Sequence, residues 1–160
     1  MQSKDGARTG PRAWAFPAAA QALQKAGVTA KVLDGDLPPK GADVVGATLG
    51  VARFDWDASG ATMLPGAWCD HLTSFGGYFY QISDQTPLTA FLKAGASGSG
   101  GAVEEPLNLA YKFPSAFVHL HRVRGLSLVE AVYRSLSSPY QYLVVGDPLS
   151  RPWTVKAHAP

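Results

Sequence analysis

The chain has 160 residues, enough for one domain with its own core and too few for two comfortable ones. With 46% hydrophobic and 16% charged residues it reads as a packed chain and not as a disordered one. Lys and Arg number 14 against 12 Asp and Glu, and no basic cluster stands out, so a formal charge of +2 gives no case for nucleic acid.

Other classes fall on similar grounds. The single cysteine, Cys69, excludes an intrachain disulfide framework and a cysteine zinc cluster. No apolar run approaches the ~18 residues that a membrane helix needs. The opening MQSKDGARTGPR is polar and lacks the apolar stretch of a secretory signal.

Residues 1–11 read as a flexible lead-in, 12–155 as one α/β domain and 156–160 as a tail. FPAAAQALQKAG predicts a helix, with Pro17 in its first turn, Lys25 in its last and Gly27 just past its end. TAKVL, from Thr29 to Leu33, predicts a short strand. ADVVGATLGVA is apolar almost without alternation, as in a strand buried on both faces. After the polar turn RFDWDASG, ATMLPGAWCDHL predicts another strand, weakened by Pro65.

TPLTAFLKAG predicts a helix capped by Thr86, opened by Pro87 and stopped by Gly95. The glycine-rich SGSGG leads into a predicted strand from Ala102 to Glu105. AFVHLHRV alternates and predicts a strand. SLVEAVYRSLSS predicts a helix opened by a capping box, Ser127 with Glu130. YQYLVVGDP predicts the last strand. Helices alternating with short apolar strands point to an α/β fold, a three-layer sandwich around a mostly parallel sheet.

In such a sheet, sites gather beyond the carboxyl ends of the strands. That rule selects Cys69, Asp70, His71, Thr73 and Ser74 after one strand, Glu104 and Glu105 after the next, and Asp147 after the last. Cys69 is the nucleophile candidate. His71, two residues on, shares its side of an extended strand and is the base candidate. Gly76 and Gly77 offer backbone N–H groups for an oxyanion. The competing reading of Cys69 is a small buried apolar residue. Asp70, His71, Thr73 and Ser74 equally suit a buried polar network that pins the loop.

Asp55, Asp57 and Ser59, followed by Gly60, resemble the opening of a calcium loop, and calcium is the one cofactor candidate. The acidic residue that should close such a loop is absent, since Gly66 stands there, and a plain turn uses the same residues. His119 and His121 share one face of the predicted strand, but a third zinc ligand is not evident nearby.

LPGAWCDHLTSFGG, QTPLTAFLKAGASGSGGAVEEP, KFPSAFVHLH and RGLSLVEAVYRSLSSPYQYLVVGDPLSRPW closely resemble the C-terminal part of a large bacterial family of uncharacterised proteins. The likeness runs from about Arg8 to Trp153. More distantly, the order of elements is similar to the second half of the gingipain-like cysteine peptidases, which have the caspase-like fold. That resemblance implies a nucleophile near Cys69 and a final turn at Gly146-Asp147-Pro148.

The peptidases carry their histidine after the preceding strand, whereas VVGATLGVARF has none, so His71 would serve from a different position. Two functions follow. The first is a non-catalytic module that binds a peptide or protein partner at the carboxyl edge of the sheet. The second is a cysteine-peptidase-type hydrolase using Cys69 and His71. The bacterial family also implies an N-terminal half and an export signal ahead of this part. The chain then reads as part of a longer, exported parent, or as one that covers its open sheet edge by forming a homodimer.

Overall fold

A computed structural model describes residues 6–153. Residues 1–5 of the expected lead-in, and the expected tail 156–160, lie outside the described residues.

The described residues begin with two helices, α1 (Gly6–Ala13) and α2 (Phe16–Lys25). α2 forms where its pattern places it, with Pro17 in the first turn and Lys25 in the last, and it buries Phe16, Ala19 and Leu23. Strand β1 (Asp43–Leu49), the one-turn helix α3 (Trp56–Ser59) and strand β2 (Thr62–His71) follow. Then come α4 (Thr89–Lys93), β3 (Gly98–Ala102), α5 (Phe117–Val123), α6 (Leu128–Ser135) and β4 (Tyr142–Gly146). The capping box that opens α6 is present: the Ser127 backbone N–H and hydroxyl both donate to Glu130 Oε2, at 2.8 and 2.7 Å.

The fold is mixed α/β around one four-stranded sheet of order β1-β2-β3-β4. β1 pairs parallel with β2 and β2 parallel with β3, while β4 runs antiparallel to β3. Neighbouring residues on β2 point to opposite faces, and each face has its own core. Trp68 packs with Val118 of α5 and with Leu128, Ala131 and Val132 of α6. Cys69 packs with Ala47 and Leu49 of β1, Trp56 of α3 and Phe91 of α4. β1 and β4 are the two edges of the sheet.

Several expected elements change. The lead-in is ordered from Gly6 onward as α1, with Thr9 and Arg12 buried. Residues 29–33 form no strand. The strand expected over Ala102 to Glu105 lies earlier, over the glycine run Gly98–Ala102, every residue of which is buried. A side chain on Gly101 would stand 2.4 Å from the Gly76 carbonyl carbon, so the glycine lets the 76–77 loop rest directly on the strand. AFVHLHRV is helical as α5, because it is wedged against α2, α6 and the sheet, and that burial overrides its alternation. Thr86 caps no helix; its hydroxyl accepts from the Phe54 N–H and donates to the Phe54 carbonyl, at 3.0 and 3.2 Å.

Candidate functional site

Cys69 and His71 do lie on one face of β2, as alternation requires, but no hydrogen bond joins them. Both are fully buried. The Cys69 thiol contacts Met63 Sδ at 3.5 Å, and burial pushes its pKa far above the ordinary range. A thiol in that state holds its proton and is a poor nucleophile. His71 Nδ1 is 2.8 Å from the Val51 carbonyl, and its ring packs edge-on to Phe54 and Phe91. Burial lowers its pKa to about 4, so the ring is neutral at pH 7. The Gly77 N–H donates to the Ala102 carbonyl at 2.8 Å and is not free for an oxyanion. Gly76 fills the space beside the His71 ring, where a side chain would stand 2.9 Å from Nε2. Cys69 and His71 thus share a face of β2 without a hydrogen bond between them, and the Gly77 N–H is already engaged.

The carboxyl ends of the parallel strands are closed by a residue that the sequence did not single out. Arg12 reaches in from α1 and is almost fully buried. Its Nη1 donates to Asp70 Oδ2 at 2.7 Å and to the Pro114 carbonyl at 3.1 Å, and its Nη2 donates to the Leu49 carbonyl at 2.7 Å. Its guanidinium lies 5.6 Å from the centre of the Phe113 ring. The Tyr142 hydroxyl donates to the same Asp70 oxygen at 3.0 Å. Burial raises the Asp70 pKa against the opposing pull of Arg12 and Tyr142, and burial, followed by the charge of Asp70, raises that of the Tyr142 phenol.

α1 carries Gly6, Gly10 and Pro11, a poor composition for a helix standing alone. Besides Arg12, Thr9 ties it to the sheet by donating to the Gly50 carbonyl at 3.0 Å. Gly50 makes this approach possible, since a side chain there would stand 2.4 Å from Thr9 Cα.

The remaining expected site residues are scattered. The Thr73 hydroxyl donates to Gln85 Oε1 at 2.6 Å and pins its loop. Ser74 is half-buried in the following turn. Glu104 and Glu105 are exposed beyond the end of β3, where Glu105 Oε1 accepts from the Leu107 N–H at 2.9 Å. Asp147 is at the wrong end of the sheet. β4 is antiparallel, and Gly146 pairs with Gly98 at the start of β3, which carries Asp147 away from Asp70 and His71.

The residues of the calcium reading form a helix cap in this structure. Asp55 Oδ1 accepts from the Ala58 N–H at 3.1 Å, Asp57 lies in the first turn of α3, and the Ser59 hydroxyl donates to the Trp56 carbonyl at 2.6 Å. Among the described residues, no group of three or more His, Cys, Asp and Glu side chains is placed to hold a metal ion. On helical α5, His119 and His121 no longer share a face.

Open space lies elsewhere. A groove of about 430 Å³ runs beside the free edge of β1. Phe16, Ala19 and Leu23 of α2 and His119 and Val123 of α5 form its sides, and Trp153 stands at it. His119 Nε2 is 3.0 Å from the Thr48 hydroxyl, and its ring lies over Gly46 at a bulge in β1. Burial, with the charges of Arg122 and Arg12, lowers the His119 pKa well below the ordinary range and keeps the ring neutral. The volume falls within the roughly 300–1,000 Å³ of ligand sites. One signal for this groove was present in the sequence: the short strand predicted over Thr29 to Leu33, ahead of the apolar strand ADVVGATLGVA. Nothing there showed that the two stay apart.

No family model, curated protein or solved structure matches the chain. No helix among the described residues is long and apolar enough to cross a membrane.

Proposed function

We propose that the chain is a non-catalytic module that binds a peptide or protein partner, and that the partner sits in the groove beside β1. In this reading the domain is a three-layer, mostly parallel α/β unit of caspase/gingipain-like character whose carboxyl-edge site is closed. The observation that carries it is the buried Arg12–Asp70 pair, which fills the place where an α/β sheet ordinarily receives its ligand. The apolar, open groove beside β1 supplies an alternative surface. The raised thiol of Cys69 and the absence of a bond to His71 weigh against the peptidase alternative.

Peptides selected by display against the folded chain test the site. Their amide-shift footprint is expected on Ala20, Val45 and Val123. A footprint on Thr73 to Gly77 would return the site to the carboxyl edge and overturn the assignment.

A further inference from the structure

The groove has an unusual construction. One long wall is the consecutive run 42–48, which is most of β1 with the residue before it, and the facing wall is the consecutive run 28–33. A strand presented face-on offers every second residue, so two unbroken runs mean that the space lies along the backbone edge of β1. Among the described residues β1 pairs only with β2. Its outer N–H and C=O groups are thus directed at the groove and have no strand partner among the described residues.

We infer that the groove receives an extended peptide segment as an additional strand on β1, and that this segment is apolar and carries no net charge. The inference rests on the partner-binding reading above and gives that partner its chemistry. Backbone pairing with the free edge supplies affinity, and side chains on the walls supply selectivity.

Charge complementarity sets the composition. The walls carry one cation, Lys31, and one anion, Asp43, and are otherwise apolar or neutral, His119 included. A net charge carried in against Leu23 and Val44 loses its hydration, and Lys31 and Asp43, one of each sign, give no net opposite charge to offset the loss. The shape argues against a second copy of the chain. Each copy holds its own 28–33 run across from its own β1, so two such walls collide before two β1 edges can pair. A helical segment is also a poor fit, since its backbone groups are bonded internally and leave the β1 edge unpaired.

The test uses the isotope-labelled full chain and the blocked peptide acetyl-Lys-Val-Thr-Val-Thr-Val-Glu-amide. Two further versions carry N-methyl groups on alternate amides, one set on each edge of the extended peptide. The parent is expected to give saturable shifts in the amides of 43–48 and to slow their hydrogen exchange. One methylated version is expected to lose about tenfold or more in affinity, while the other binds like the parent.

Equal binding of both methylated versions overturns strand addition and leaves the groove as a partner site. No shift at 43–48 up to millimolar peptide also overturns strand addition, and the display footprint then decides the partner reading separately. Exchange protection of the outer-edge amides in the free chain shows an edge already covered, and overturns the inference as well.

Discussion

Arg12→Ala is expected to destabilise the fold by about 3–5 kcal/mol, among the largest effects of any single substitution in this chain. The substitution removes three hydrogen bonds, two of them to the backbone carbonyls of Leu49 and Pro114, and leaves the buried Asp70 carboxyl without its cation. It also frees α1, whose glycines and proline give it little tendency to persist undocked. Urea unfolding measures the loss.

Removing both charges tells a structural pair from an incidental one. Arg12→Met combined with Asp70→Leu is expected to be more stable than Arg12→Ala, because no unpaired charge is then left inside. An Arg12→Ala variant within about 0.5 kcal/mol of the parent, the range of an ordinary surface change, would mean that α1 does not close the sheet in solution.

Acid is expected to destabilise the fold through His71. The imidazole of the unfolded chain takes its proton near pH 6.5, whereas in the fold it does so near pH 4. Between those values the unfolded state binds the additional proton. Stability is therefore complete above about pH 6.5 and falls as the pH drops toward 4. At roughly 1.4 kcal/mol for each pH unit, His71 accounts for a loss of about 3 kcal/mol. His119 acts in the same direction, although its partial exposure to the groove reduces its share. A ring-resonance titration checks the origin directly. The His71 ring is expected to remain neutral at pH 5; titration near pH 6.5 would place it in contact with water and contradict the described burial.

The parts of this fold that were legible in the sequence are those whose signals are local. α2 and α6 announce themselves by their end residues, β1 by its apolar run, and β2 by the stretch ATMLPGAWCDHL despite Pro65. The shared face of Cys69 and His71 followed from the period of a strand. What stayed hidden depends on distant contacts. Arg12 and Asp70 lie 58 positions apart, and nothing near either residue names the other. The helical state of α5 depends on the elements packed around it. The direction of β4, which removes Asp147 from the site and brings Tyr142 to Asp70, cannot be read from YLVVG, since an apolar strand reads alike in either direction.

The non-catalytic character of the module is tested most directly by the alkylation rate of Cys69 as a function of pH, followed by mass spectrometry on the folded chain. The account predicts no labelling at any pH at which the fold persists, and rapid labelling once denaturant unfolds it, because the thiol is buried and holds its proton. Fast labelling of the folded chain at neutral pH, with an apparent thiol pKa below the ordinary ~8.5, would reveal an activated thiolate and contradict it.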